Sequence, residues 1–195
     1  MIPLRQRYAL DFEWRGFELH PATPAGGLDL ASLYPADRLA AGHARLAEVA
    51  AGFGLPFTAR PRMPCTRPAL AIAELARRNG RLDAWRTGAM EAHWVDGRDI
   101  EDRAVLGDLA AKAGLDPAEA LAFLDAPEVA GLLTAQRALA RKWGVTGIPT
   151  WFILPDGWHE GDPMPTSGPR PVRVVGCQPM DVVEGAAHAA GAEPA

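Results

Sequence analysis

The sequence predicts an α/β fold: a strand, a long helical run, two short strands and a closing helix. Three observations carry this reading. Tyr8, Leu10, Phe12 and Trp14 alternate with Ala9, Asp11, Glu13 and Arg15, the period of a strand with one buried face. From Thr66 to Trp143 apolar residues recur at helical spacing, broken at intervals by glycine. Thr150–Leu154 and Val172–Val175 are short apolar runs bounded by turn residues, which suits buried strands.

Each element follows in order. The first strand continues through Phe17 and Leu19 to His20–Pro21, so it spans Tyr8–Leu19. A loop rich in proline and glycine runs from Pro21 to about Leu30. Ala36–Ala51 is rich in Ala and Leu and reads as a helix stopped by Gly52 and Gly54. Five helices follow. The first has Thr66 as N-cap, Pro68 in its first turn and Asn79–Gly80 as its stop. The second covers Leu82–Val95 and closes at Asp96–Gly97, and the third covers Glu101–Ala113. The fourth carries Asp116 as cap, Pro117 at the first position and Glu119 three residues after the cap. The fifth starts near Pro127 and ends at Gly144. Pro155-Asp156-Gly157 is a turn, and Trp158–Pro171, crowded with Pro, Gly and Ser, reads as a mobile surface loop. Gly176-Cys177-Gln178-Pro179 leads into a last helix over Met180–Ala190.

Composition excludes several classes. With 195 residues, 48% of them hydrophobic, the chain is long enough to bury a core. A formal charge of −4 without a basic stripe argues against nucleic acid as partner. No apolar run is long enough to span a bilayer, and the N-terminus lacks the apolar core of a signal peptide, so a soluble cytoplasmic protein is expected. Two cysteines, Cys65 and Cys177, form neither a disulfide scaffold nor a C-x-x-C pair. No His/Cys cluster has zinc-site spacing, and no Walker or G-x-G-x-x-G sequence occurs.

One stretch asks for an explanation. "RKWGVTGIPTWFI" places Pro149 at the mouth of an apolar strand, although proline cannot donate to a sheet ladder. A cis Ile148–Pro149 bond, turning the backbone toward a site rather than toward a neighbouring strand, accounts for it. A trans proline opening an edge strand is the alternative.

These residues resemble a known family. "GVTGIPTWFI", the second strand and "VVGCQPMDVVEGAAHAAG" look like the C-terminal half of a thioredoxin fold. The run from "MPCTRPALAIAELARRNG" to "DPAEALAFL" is similar to the all-helical insertion of the DsbA-like branch, and "FEWRGFELHPATP" to its second strand and following loop. The texture is that of cytoplasmic DsbA-family oxidoreductases, with 2-hydroxychromene-2-carboxylate isomerases and kappa-class glutathione transferases as relatives. The resemblance implies one thioredoxin-like domain over residues 1–195 with a helical insertion at 66–143. It also implies a departure. Members of the family begin with a strand and a helix carrying C-P-W-C, or a serine in the isomerase branch, and neither motif opens this sequence. The first strand and helix are therefore expected to be missing. The missing strand would lie between Tyr8–Leu19 and Thr150–Leu154, and each buried backbone group left unpaired costs on the order of 1–3 kcal/mol. An incomplete sequence, direct pairing of the two remaining strands, or a strand supplied by a partner would each resolve this.

The resemblance also nominates site residues. Ile148 and Pro149 would present backbone to a substrate peptide, a mixed disulfide or glutathione. Cys177, ahead of the last helix, and Gln178 would lie near the acidic end of glutathione; packing under the helix is the plainer role for Cys177. Cys65 matches a position that lines the substrate cleft in isomerase relatives, and packing is again the alternative. His20 closes the first strand and is a candidate to face a cleft, against a role as surface or core filler. A Cys65–Cys177 bridge is a further option. His93 with Trp94, and Trp158 with His159, are secondary candidates for a cleft or a ligand cover, against surface or core roles.

Three functions fit. The first is a protein related to the thiol–disulfide oxidoreductases, impaired because it lacks the C-x-x-C of mixed-disulfide chemistry. The second is a glutathione-dependent isomerase or transferase. The third is a non-catalytic binding protein on the same scaffold, a reading that a homodimer with strand exchange would support. No resident cofactor or metal is implied. The expected partner is a thiol- or disulfide-bearing peptide or a glutathione-like small molecule, with no membrane involved.

Overall fold

The computed structural model describes residues 2–159 and 162–195. Its helices are α1 (Ile2–Arg7), α2 (Ala36–Gly52), α3 (Arg67–Arg78), α4 (Leu82–Trp94), α5 (Arg103–Lys112), α6 (Pro117–Phe123), α7 (Glu128–Lys142) and α8 (Met180–Ala189). Its strands are β1 (Leu28–Asp29), β2 (Arg62–Met63), β3 (Thr150–Ile153) and β4 (Val172–Val175). Among the described residues no helix is long and apolar enough to cross a membrane.

The chain divides into two compact units, one of residues 1–15 and 140–195, the other of residues 16–139. In the first, β3 and β4 pair antiparallel in the register Thr150↔Val175 to Ile153↔Val172. Ile153 and Val174 meet Val183, Ala186 and Ala190 of the α8 region, with Leu4 and Tyr8 completing the cluster. In α1, Leu4 is deeply buried. Tyr8 is tied to α8 by a 2.9 Å hydrogen bond to His188 Nε2 and by an edge-on ring contact at 5.2 Å.

The second unit is a helical pack. Ile72, Leu75 and Ala76 of α3, Trp85 of α4, and Leu106 and Leu109 of α5 share one core. Trp85 is buried, and its indole N–H donates to the Ala69 carbonyl at 3.1 Å, so its polar atom is satisfied. Capping sets the boundaries of two of these helices. Asp102 accepts from Ala104 N at 2.7 Å at the start of α5. Asp116 accepts from Ala118 N at 2.7 Å and Glu119 N at 3.3 Å, with Pro117 at the first position of α6. Outside the helices β1 and β2 form a two-residue ladder, Leu28↔Met63 and Asp29↔Arg62.

Several expectations are corrected. Tyr8–Leu19 is not a strand. Its backbone pairing is an isolated bridge, Tyr8↔Pro194, flanked by Ala9 N–H to Glu193 O at 3.0 Å and Ala195 N–H to Arg7 O at 2.9 Å. Direct pairing with Thr150–Ile153 does not occur; β3 pairs with β4 alone. The alternation is real, because Tyr8, Leu10 and Phe12 pack on the sheet cluster while Ala9, Asp11 and Glu13 are exposed. Packing of one face satisfies the side chains, but a strand also needs a neighbour for its backbone. Even-numbered positions stay the buried ones past Gly16, although the apolar residues there, Phe17 and Leu19, are odd-numbered. Glu18 is buried, with Arg67 Nε at 2.8 Å and Arg137 Nε at 3.4 Å, and Leu19 is exposed. Thr66 occupies the N-cap of α3 but lies in the helical region (φ −80°, ψ −5°), from which its side chain makes no capping bond. The loop Trp158–Pro171 includes residues 160 and 161, which lie outside the described residues; the remainder carries neither helix nor strand.

Candidate functional site

The entry to β3 is built by the residues that follow α7. Val145 N–H closes on Ala140 O at 2.9 Å, and Gly144 O accepts from Arg173 Nη1 at 3.3 Å, which ties the end of α7 to β4. Trp143 stacks edge-on against Phe152 of β3, centroids 4.6 Å apart. Thr150 Oγ1 donates to Gly147 O at 2.7 Å and folds the turn back on the strand. Between these anchors the Ile148–Pro149 peptide bond is cis. Ile148 is 51% exposed, and among the described residues no hydrogen bond engages its N–H or its carbonyl.

The opposite wall comes from the end of β4. Gly176, at φ +81°, turns the chain out of the strand in a conformation that a side chain would resist, and its N–H donates to Pro149 O at 2.8 Å. Cys177 follows and is exposed with a free thiol. Gln178 is held back on the strand, its Nε2 donating to Val175 O at 2.7 Å. Cys177 lies two residues ahead of Pro179, the N-cap of α8, and so stands outside the helix proper. Gln178 also borders an open groove of about 540 Å³ along β4 and α8, with Arg173, Val175 and Val182 on its walls.

Ile148, Pro149, Cys177 and Gln178 are thus neighbours through the Gly176–Pro149 bond. His20 and Cys65 belong to the other unit. His20 is exposed, and its carbonyl accepts from Thr23 N in a turn at 3.1 Å. Cys65 is only 6% exposed and its N–H donates to Glu101 Oε1 at 2.8 Å. Both thiols are free, so no Cys65–Cys177 bridge is present. His159 contributes its backbone N–H to Asp162 Oδ2 at 2.7 Å, and Trp158 lies against Trp143 at 6.3 Å.

His93 has a more developed setting than the sequence indicates. It is 8% exposed and borders a crevice of about 80 Å³ with Arg60, Arg62, Arg98, Asp99 and Glu101. Burial, with the Arg60 charge beside it, pushes its imidazole below the ordinary range, against a smaller opposing pull from Asp99. None of the three arginines stands out in the sequence. The clue is Arg60 and Arg62 alternating with prolines in Arg60-Pro61-Arg62-Met63-Pro64, a pattern that sends both side chains to one face of an extended segment.

Comparison with known proteins agrees with the architecture. The family model described as DSBA-like thioredoxin domain matches residues 2–187. The chain is similar to a probable DsbA oxidoreductase from Streptomyces coelicolor, with 26% identity and a TM-score of 0.74, over 91% of this chain and 74% of that one. It shares the fold of a "putative protein disulfide isomerase" from Nitrosomonas europaea, at 18% identity and a TM-score of 0.59, over 78% of this chain and 72% of that one. No curated protein matches by sequence. A thioredoxin-type strand pair with its following helix, a helix-rich remainder and a family match over nearly the whole chain lead to one assignment: this chain belongs to the DSBA-like thioredoxin domain family.

Proposed function

We propose that this chain is a member of the thiol–disulfide oxidoreductase family that binds an extended thiol- or disulfide-bearing peptide at Ile148–Pro149, without dithiol chemistry of its own. The observation that carries this is the exposed Ile148 at the mouth of β3, whose N–H and carbonyl no hydrogen bond engages among the described residues. A peptide laid antiparallel along this edge would exchange two backbone hydrogen bonds with Ile148, the mode by which strands add to open sheet edges. The mixed-disulfide route needs an attacking and a resolving thiol. The two cysteines of these 195 residues are not in a C-x-x-C arrangement, one being buried in the helical unit and the other exposed beyond β4.

The test is peptide binding by calorimetry with the wild type and an Ile148→Pro variant, which removes the N–H donor. Loss of one charge-neutral hydrogen bond at the edge is expected to weaken binding about five- to tenfold. Equal affinity of the two proteins, with the variant's circular dichroism unchanged, would rule out docking at this edge.

A glutathione-binding reading rests on Cys177 and Gln178 standing beside Pro149 across the Gly176 bond. The tripeptide is an extended peptide of the same chemistry. Saturable glutathione binding that is lost in Gln178→Ala would favour it, and no binding at millimolar glutathione would exclude it.

A further inference from the structure

The helical unit holds a second constellation, separate from β3 and its turn. The segment Phe57–Pro64 is sewn onto the C-terminal end of α4. Thr58 donates through its N–H to Trp94 O at 2.7 Å and through Oγ1 to Val95 O at 2.8 Å. Phe57 stacks on Trp94, centroids 5.7 Å apart. This anchoring carries Arg60 over Gly97, where a Cβ would lie 2.5 Å from Arg60 Nη1; Gly97 (φ +71°) has the backbone and the bareness that the guanidinium needs. Arg62 is set by the β1–β2 ladder opposite Asp29. Arg98 follows Gly97, and its Nη1 is held by Asp108 at 2.7 Å, while Arg98 and Lys112 together keep the Asp108 carboxyl below the usual carboxylate range.

The crevice these groups enclose is polar and short of partners. His93 is buried, lines it, and has no hydrogen-bond partner at Nδ1. Arg60 Nε is likewise buried without one. Buried polar atoms are rarely left this way, since each costs roughly 1–3 kcal/mol. The two carboxylates on the wall are already committed to backbone donors. Glu101 takes Gly26 N at 2.7 Å and Cys65 N at 2.8 Å, and Asp99 takes Glu101 N at 2.9 Å. Arg60, Arg62 and Arg98 exceed the two wall carboxylates by one formal charge, with Arg98 shared with Asp108, and the donors left open are those of Arg60 Nε and His93 Nδ1. The volume of about 80 Å³ is roughly that of two or three waters in the liquid, which suits one small oxyanion group and not a whole nucleotide or peptide.

We propose that this crevice binds an oxyanion group, phosphate, sulfate or carboxylate, free or as the anionic end of a small ligand, through Arg60, Arg62, Arg98 and His93. Guanidinium donors match the oxygens of such a group in pairs, and a neutral imidazole offers Nδ1–H as a further donor. The resemblance and the family match say nothing of this position, and the proposal is independent of peptide docking at Ile148.

The experiment follows the His93 imidazole resonances by NMR at pH 7 while inorganic phosphate, sulfate or acetate replaces chloride at constant ionic strength. The expected result is a saturable shift at His93 with at least one of the three anions, the other four histidines moving little. The anion that binds tightest identifies the source chemistry. Arg60→Gln and Arg62→Gln should each raise the dissociation constant at least tenfold. Arg62 is exposed in a two-residue strand, so its variant keeps the test open if Arg60→Gln fails to fold. A uniform, non-saturating response of all five histidines to every anion, or an affinity unchanged by Arg62→Gln, would overturn the proposal.

Discussion

Cys177 and Cys65 are the same residue type in opposite settings, and reactivity separates them. Cys177 is exposed and Cys65 buried, and a thiol reagent needs access as well as thiolate. Native protein should therefore take up one equivalent of an aromatic disulfide reagent quickly and a second only in denaturant, with mass spectrometry placing the first on Cys177. Fast labelling of Cys65 would contradict its burial. Leu106 is fully buried in the core of the helical unit. Leu106→Ala should lower the unfolding free energy by about 2–5 kcal/mol in urea. His93 sets a pH dependence. Its folded pKa lies below the ordinary 6.5 because burial and Arg60 disfavour the cation. Folding thus favours the neutral ring, and this contribution is fully present above pH 6.5 and lost as pH falls below it toward the folded pKa. The urea midpoint should drop between pH 7.5 and pH 5.5, and His93→Gln should flatten that drop. A larger drop in the variant would show the opposite sign.

At the scale of elements, α6 shows how directly local sequence can fix a boundary. Asp116, Pro117 and Glu119 mark the helix start in the sequence, and Asp116 caps it by accepting from Ala118 N and Glu119 N. Asp116→Ala should cost about 0.5–2 kcal/mol, read as a shift in the urea midpoint. β3 and β4 were equally legible, since four-residue apolar runs between turn residues leave few alternatives. Two things were not legible. A six-residue helix such as α1 spans fewer than two turns, too short for a periodicity to register. The segment Tyr8–Leu19 has a strand's alternation, and that pattern reports which face is buried, not whether a neighbouring backbone exists. Ladders are long-range facts. The same limit applies to the sites. Ile148 and Pro149 are conspicuous because a proline at the start of an apolar strand breaks a local rule. The contact of Pro149 with Gly176, and the meeting of Arg60 with His93, arise from residues about 30 positions apart and leave little local trace.

On the scale of the whole molecule, the family membership assigns a scaffold, and chemistry is decided by what stands on it. The sheet unit presents at Ile148 a backbone that no hydrogen bond engages among the described residues, and the helical unit encloses an arginine-lined crevice around His93. Neither contains a paired redox couple, so these 195 residues should reduce insulin with thiol reductant no faster than reductant alone; robust turnover would show that Cys65 or Cys177 acts by a route not visible in this arrangement. The central claim is that Ile148 is a backbone docking point. It is tested most directly by amide hydrogen exchange at Ile148 with and without a saturating extended peptide. The account predicts fast exchange in the free protein and at least tenfold protection on binding. Slow exchange in the free protein, or no added protection in a complex shown to be saturated, would contradict it.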